Sequence, residues 1–149
     1  MFQIRAATNE DQESIQQIYI SFVGVQANQI EACWEQLIRA GGLLVAQAEG
    51  VIVGFGGVDL QAAEQLKWLY ILPEYQGIGL GSQLLQHLEA IGWEAGLKLL
   101  RLHAAPASVE FYRKRGYRDV GDEELIGHDH EGVEMWKERR VGQQLTPET

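Results

Sequence analysis

The sequence predicts an α+β fold on a mixed, mostly antiparallel twisted sheet of about seven strands, with four flanking helices. Short runs rich in β-branched and aromatic residues alternate with longer segments whose apolar residues recur every three or four positions. Glycine or proline separates most of these segments. The chain has 149 residues and shows no internal repeat or linker, so residues 1–149 are expected to form one domain.

The chain begins with a predicted strand and two predicted helices. Phe2 to Ala6 has the composition of a strand. Thr8 offers a capping oxygen to a first helix, which Gly24 breaks. Ala27 to Ala40 has helical periodicity, and the Gly41-Gly42 pair that follows is typical of a helix C-terminus.

Three strands are predicted next, as an antiparallel set. Leu43 to Ala48 and Val51 to Leu60 are rich in β-forming residues, and Glu49-Gly50 between them favours a tight hairpin. Leu66 to Leu72 is bulky and mostly apolar, as expected of a largely buried strand. Pro73 should end it, because proline has no amide proton for a ladder hydrogen bond.

The last third of the chain is predicted to complete the sheet. Leu97 to His103 indicates a strand, Pro106 to Arg115 a short helix, and Tyr117 to Val120 another strand. Glu134 to Lys137 is expected to be the closing strand. The polar, acidic stretch Gly121 to Gly132 is predicted to be a mobile hairpin loop.

A glycine-rich turn lies between the strand that ends at Pro73 and the helix that follows. It reads Gln76-Gly77-Ile78-Gly79-Leu80-Gly81. The first amides of a helix have no partner inside the helix, and the aligned peptide dipoles leave about half a positive charge there. Glycines let the backbone approach an anion closely. The turn therefore predicts a phosphate-binding site.

Two common phosphate-binding signatures do not fit this turn. A nucleoside triphosphate loop would need a lysine after its last glycine, and none follows Gly81. The dinucleotide fingerprint would need a third glycine where Ser82 or Leu84 stands, depending on the register. Nucleoside triphosphate and dinucleotide chemistry are therefore disfavoured.

The turn does resemble the Q/R-x-x-G-x-G/A signature of the GNAT superfamily of N-acetyltransferases. A second stretch, Ser108 to Tyr117, resembles that family's FYxxxGF/Y segment, with Phe111 packing inward and Tyr112 facing the thioester. The closing strand also resembles the family's, so the likeness covers nearly the whole chain. One departure is the absence of an asparagine that often contacts the coenzyme, and Ser108 is the candidate replacement.

The resemblance implies an enzyme that moves an acetyl group from acetyl-coenzyme A to a primary amine, by direct attack in a ternary complex. It implies no metal. The expected coenzyme-binding residues are Leu69, Ile71, Gln76, Gly77, Ile78, Gly79, Leu80, Gly81, Ser82, Ser108 and Tyr112. A main-chain amide near Ile71 is the expected oxyanion donor. The alternative is a sensor or regulatory module of the same fold that binds acyl-coenzyme A without turning it over.

Three side chains are the catalytic candidates. An attacking amine must lose a proton, and positioned proton transfer typically contributes about 10²–10⁴ in rate. Glu64 and His103 are the candidate bases, whereas Glu74 beside the turn is expected to serve structure. Tyr112 is the candidate acid for the departing thiolate, since a phenol and a thiol have similar ordinary pKa values.

Charge and composition limit the partners. The formal net charge is −9, which disfavours nucleic acid. No apolar run approaches the ~18 residues of a membrane span and no secretory signal is visible, so a cytoplasmic location is expected. A homodimer is plausible. The lone cysteine, Cys33, is expected to be an inert thiol in a helix.

Two charged groups of residues leave alternatives open. A basic group either meets nucleotide phosphates or forms a solvated face; it consists of Arg101, Arg113, Lys114, Arg115 and Arg118. An acidic group near Trp34 either attracts a cationic acceptor or only keeps the domain soluble. Its members are Glu31, Glu35, Asp122, Glu123, Glu124, Asp129 and Glu131. A polyamine-like or aminoglycoside-like amine, or a basic protein terminus, would suit an acidic pocket.

Overall fold

A computed structural model describes residues 2–24, 31–119 and 132–139. The elements, in chain order, are β1 (Phe2–Ala6), α1 (Gln12–Val23), α2 (Glu31–Ala40), β2 (Leu43–Ala48), β3 (Val51–Val58), β4 (Leu66–Ile71), α3 (Leu80–Glu94), β5 (Leu99–Ala104), α4 (Val109–Arg113), β6 (Arg118–Asp119) and β7 (Val133–Glu138). The predicted α+β class and the predicted order of elements are confirmed. The predicted start of α2 at Ala27 and the predicted loop over 121–131 lie outside the described residues.

The strands form two antiparallel sheets. The first has the order β1-β2-β3-β4 and the second the order β5-β7-β6. Every strand pair in the described ranges is antiparallel. Strands β4 and β5 lie in contact, although they are not ladder neighbours. The predicted single sheet is therefore divided between β4 and β5.

The turns explain where the elements end. Glu49 and Gly50 both have positive φ, 53° and 84°, which is the backbone of the hairpin turn that matches strand twist. Strand β3 ends at Val58, two residues before the predicted end, because the Asp59 carboxylate accepts the Gln61 N–H (3.0 Å) and starts a turn. Pro73 follows β4 and opens a short 3₁₀ turn, as a proline at that position predicts.

Two apolar clusters pack on opposite faces of the first sheet. One joins that sheet to α3 and the second sheet through fully buried side chains such as Leu84, Leu88 and Met135. The other joins it to α1 and α2 through Ile15 and Phe55. Because helices cover both faces, β2 and β3 are apolar along most of their length.

Strand β4 contains a bulge. The register shifts between Phe55 and Gly57 on the neighbouring strand, so Phe55 faces Tyr70 while Gly57 faces Lys67. The inserted residue on β4 is Trp68, whose φ of 59° is rare for an aromatic residue. The bulge therefore reorients the side chains of β4 at the point where the two sheets meet.

A buried polar group ties α3 to the second sheet. The Glu89 carboxylate is 6% exposed and accepts the Tyr117 hydroxyl at 2.8 Å. The Lys137 ammonium lies 3.2 Å from the same carboxylate oxygen. Burial and the Glu89 charge raise the pKa of Tyr117, so its phenol stays a donor.

Within the described residues, no helix is long and apolar enough to cross a membrane.

Candidate active site

The loop between β4 and α3 has the backbone that its glycines predict. Gly77 and Gly79 have φ of 81° and 87°, a region that side-chain-bearing residues rarely adopt. Gly79 is the N-cap residue of α3. The Gln76 side-chain amide donates to the Ile71 carbonyl at 2.7 Å, which ties the loop to the end of β4. The loop is therefore held in a fixed position beside the strand.

The main-chain amides of this loop are free. Among the residues that the structure describes, no acceptor receives the N–H groups of residues 77–82, whereas the next amide, Gln83, donates to the Gly79 carbonyl. Successive N–H groups at a helix N-terminus form an anion site. The arrangement is suited to a phosphate or diphosphate.

These amides border a cavity of about 470 Å³. Nine of the eleven residues predicted to bind the coenzyme line it: Leu69, Ile71, Gln76, Gly77, Gly79, Gly81, Ser82, Ser108 and Tyr112. The other two contribute no side chain. Ile78 is 56% exposed and Leu80 is buried in the core. Each of these residues can therefore contact a ligand only through its main-chain amide.

Three further residues line the same cavity: Ala107, Phe111, which was expected to pack inward, and Arg115, a member of the basic group. The Arg115 guanidinium stacks 3.9 Å from the Phe111 ring centre and donates to the Phe111 carbonyl at 2.8 Å. Its Nε is buried and has no partner among the described residues. The spacing of four between Phe111 and Arg115 was the available signal for this stack.

The rest of the basic group lies elsewhere. Arg113 is paired with Glu110 (2.8 Å) and Asp119 (2.7 Å), and Arg118 lies over Trp136. Arg101 and Lys114 are exposed and do not line this cavity. Of the basic group, Arg115 is therefore the member that lines this cavity.

A second cavity, of about 440 Å³, lies on the other side of Tyr112. It shares Leu69, Ser108 and Tyr112 with the first cavity. Glu64 and His103 both line it. The two cavities therefore meet at Tyr112, with the phosphate-binding loop on one side and the candidate bases on the other.

Tyr112 is held by two aromatic contacts. Its ring makes edge contacts with Phe111 and Tyr117, at centre distances of 5.1 and 5.6 Å. Burial raises the pKa of the Tyr112 phenol above its ordinary value. The phenol therefore stays protonated at neutral pH and can act as a hydrogen-bond donor.

The candidate bases lie side by side. The His103 Nδ1 and a Glu64 carboxylate oxygen are 4.0 Å apart. Burial is the main cause that raises the pKa of Glu64, and the neighbouring Glu134 carboxyl adds to it. Glu134 lies opposite His103 in the β5–β7 pair and was missed at the sequence level, because cross-strand partners separated by a loop leave no local signal. Glu74 is exposed and lines neither cavity.

The end of β4 presents an amide toward β5. The Leu72 N–H donates to the Val53 carbonyl at 2.9 Å. Since bonding directions alternate along an antiparallel strand, the N–H and C=O of Ile71 point to the opposite edge. The Gln76 side chain meets the Ile71 carbonyl on that edge. The neighbouring N–H is therefore directed toward the gap between the sheets.

Residues 39–119 match the family model described as an acetyltransferase (GNAT) domain. The chain belongs to the GNAT acetyltransferase family. Two relatives named as acetyltransferases match this GNAT domain, one from Bacillus subtilis (strain 168) and one, an IAA acetyltransferase, from Azospirillum brasilense. They are 31% and 30% identical over 84 residues, which is 56% and 52% of this chain. The match spans about half the length of these relatives, 57% and 55%.

A solved structure shows the same fold. The PaiA N-acetyltransferase of Thermoplasma acidophilum, in complex with coenzyme A, superposes with a TM-score of 0.68 at 22% identity, over 93% of this chain and 99% of that one. At this identity the likeness establishes the fold of the GNAT domain.

One of the two interpretations of the acidic group placed it beside the Trp34 ring, as a site for a cationic acceptor. Trp34 is 0% exposed and packs edge-on against Tyr19 and Phe55 in the core. That placement of Trp34 was wrong, because periodicity marks an apolar helix face but not what covers it. Glu35 is exposed and pairs with Arg39 at 3.4 Å. The Glu31 side chain and the acidic residues over 122–131 lie outside the described residues.

Proposed function

We propose that this protein is an N-acetyltransferase that uses acetyl-coenzyme A to acetylate a primary amine by direct attack within a ternary complex. The observation that carries the proposal is the run of free amides over residues 77–82 beside a cavity. That donor set fits a diphosphate, which needs several N–H groups and no side chain in the way. Nothing lies within 4 Å of where a Cβ would stand on Gly77 or Gly79, so the backbone is accessible.

Arg115 adds a charge to this site. Its guanidinium is fixed by the Phe111 ring and carbonyl, so little side-chain freedom is lost on binding an anion. A guanidinium near phosphate forms stronger hydrogen bonds than a neutral donor. We assign Arg115 to the coenzyme side of the site, together with the loop amides.

The coenzyme supplies an activated acetyl group as a thioester. In the proposed transfer the amine nitrogen bonds to the acetyl carbon and the carbon–sulfur bond breaks. The amine loses one proton, and the departing sulfur gains one. The chain's own residues must therefore accept one proton, donate another, and stabilise negative charge on the acetyl oxygen.

Glu64 and His103 are the proposed proton acceptors. Their 4.0 Å separation is longer than a hydrogen bond, so a proton passes between them only after the side chains move closer or through a bridging water. The raised pKa of Glu64 makes it a stronger base than an exposed glutamate, as proton removal from the attacking neutral amine requires. The Ile71 N–H, directed into the gap between the sheets, is the proposed oxyanion donor.

Tyr112 is the proposed donor to the sulfur. Its raised pKa would make it a weak acid toward a thiolate in water. In the buried junction between the cavities, the same loss of hydration raises the pKa of a thiolate as well. The proton can then move from phenol to sulfur without a large energy difference.

The test is thiol release from acetyl-coenzyme A with a panel of primary amines. Wild-type protein is expected to release thiol with at least one amine, and Tyr112→Phe is expected to lower turnover tenfold or more with unchanged coenzyme affinity. Wild-type turnover in this variant would remove Tyr112 from the mechanism. Tight coenzyme binding without turnover across the panel would instead support the sensor alternative.

A further inference from the structure

The second cavity is lined by both aromatic rings and aliphatic side chains. The rings are those of Tyr112, of Tyr19 from α1, and of two β4 residues, Trp68 and Tyr70. The aliphatic residues are Leu66, Leu69, Leu85, Leu88 and Leu102. A cavity of about 440 Å³ with such walls suits a small ligand with an apolar body.

The rings are held in place by other rings. Tyr70 contacts Tyr19 at 5.7 Å and Phe22 at 4.8 Å between ring centres. Trp68 contacts Trp34 edge-on at 6.3 Å. Each such contact stabilises the pair beyond the area it buries. The wall is therefore preorganised, which lowers the entropy lost when a ligand stacks on it.

Backbone strain supports a role for Trp68. Its positive φ is a strained conformation for a residue with a side chain, and such strain is concentrated at functional sites. The neighbouring strand makes room for the ring, since a Cβ on Gly57 would stand 3.0 Å from Trp68 Cε3. The Trp68 ring therefore lines the cavity although its backbone has an unfavourable conformation.

The charges in this wall disfavour a ligand with several cations. The Lys67 ammonium lies 5.9 Å from the Trp68 ring centre, so it already uses the ring's negative face. A second cation stacked there would meet like charge. Glu64, next to His103, lines the cavity and can take one amine, whereas its neighbour Glu134 does not line the cavity.

We propose that the acceptor is a monoamine carried on an aromatic or bulky apolar body, which stacks against Trp68, Tyr70 and Tyr19 while its amine faces Glu64. This inference rests on the function proposed above. It replaces the polyamine-like and aminoglycoside-like candidates, whose additional cations have no place in the described wall.

Four amines test the inference by thiol release from acetyl-coenzyme A: phenethylamine, tryptamine, propylamine and spermidine. We expect kcat/KM for the two aromatic amines to exceed that for propylamine and for spermidine at least tenfold. Spermidine or propylamine as the best substrate would overturn the inference and leave the proposed function standing. Coenzyme binding with no turnover of any of the four would overturn both.

Variants of the lining residues test which side chains bind the aromatic body of the amine. Trp68→Gly removes the ring at a position where glycine adopts the observed φ without strain, and we expect the phenethylamine-to-propylamine ratio to fall at least fivefold at unchanged coenzyme affinity. Trp136→Leu is the matched control, because Trp136 lies on β7 and does not line this cavity. If Trp68→Gly does not fold, Tyr19→Leu on α1 should lower the same ratio. An unchanged ratio in the folded variant would contradict the assignment.

Discussion

At the scale of single residues, two glycines have the same backbone conformation but lie at different ends of one helix. Gly79 and Gly96 lie at opposite ends of α3, with φ of 87° and 96° and open space around each. A side chain at either position costs roughly 1–2 kcal/mol, because left-handed backbone brings Cβ too close to the carbonyl oxygen. In the proposed site, Gly79 alone belongs to the phosphate-binding turn.

Gly79→Val is therefore expected to weaken coenzyme A binding at least tenfold, because the strained residue moves the amides out of register. The measurement is isothermal titration calorimetry. Gly96→Val is the control: it should lose similar thermal stability and bind coenzyme A as tightly as the wild type. Equal binding by both variants would remove the turn from the coenzyme site.

A second pair of residues, Arg115 and Arg113, distinguishes the effect of a charge in the cavity from the effect of a charge on the surface. Arg115 lines the coenzyme-side cavity, whereas Arg113, two residues earlier, is engaged by Glu110 and Asp119. Arg115→Met should weaken coenzyme A binding about tenfold, with a smaller loss for pantetheine, which has no diphosphate. Arg113→Met should change neither. A matched loss in both variants would point to a general effect of net charge.

At the scale of elements, α3 is fixed to the second sheet by one buried ion pair. Lys137→Met would leave the Glu89 carboxylate in the core with, among the described residues, the Tyr117 hydroxyl as its remaining donor. Breaking such a pair typically costs about 3–5 kcal/mol, because one charge stays buried without compensation. Urea denaturation at pH 7 should show that loss.

Two further variants complete this comparison. Lys114→Met, at an exposed position, should stay within about 0.5 kcal/mol of the wild type. The double variant Glu89→Gln with Lys137→Met should recover most of the lost stability, since the Gln side-chain oxygen still accepts the Tyr117 hydroxyl and no charge is left buried alone. A double variant as unstable as Lys137→Met would show that packing, not the charge, is the cause.

Elements were predictable where a local signal marks them. Pro73 marks the end of β4, and Glu49-Gly50 marks the hairpin, because a single residue type fixes the backbone there. The bulge at Trp68 carries no such signal, since a tryptophan with positive φ arises from packing against β3 and α2. The Glu89–Lys137 contact joins residues 48 positions apart, which periodicity does not reveal.

The candidate site also has a part that was predictable from the sequence and a part that was not. The glycine-rich turn was predictable because main-chain amides at a helix N-terminus bind anions whatever their side chains. The acceptor wall was not, because Tyr19, Trp68 and Tyr70 come from separate elements and share a cavity through the tertiary fold alone.

At the scale of the whole molecule, each cavity is lined by residues from distant parts of the chain. The coenzyme-side lining residues come from β4, the loop after it, the start of α3 and the segment 107–115 that follows β5, so binding should tie the first sheet to that segment. A ligand that binds the folded state alone stabilises it by about 2.7 kcal/mol at 100 times its Kd. For a domain of this size that corresponds to about 5–10 °C in Tm.

We therefore expect coenzyme A near 100 times its Kd to raise the Tm by about 5–10 °C, as followed by differential scanning fluorimetry. Pantetheine at the same concentration should give a much smaller shift, since the loop amides would have no diphosphate to bind. ATP and NAD, which have phosphates but no pantetheine arm, should shift the Tm less than coenzyme A. A larger Tm shift with ATP or NAD would assign the turn to another nucleotide. The loop amides would then bind the phosphates of a ligand that has no thiol, and Tyr112 would have no sulfur to protonate.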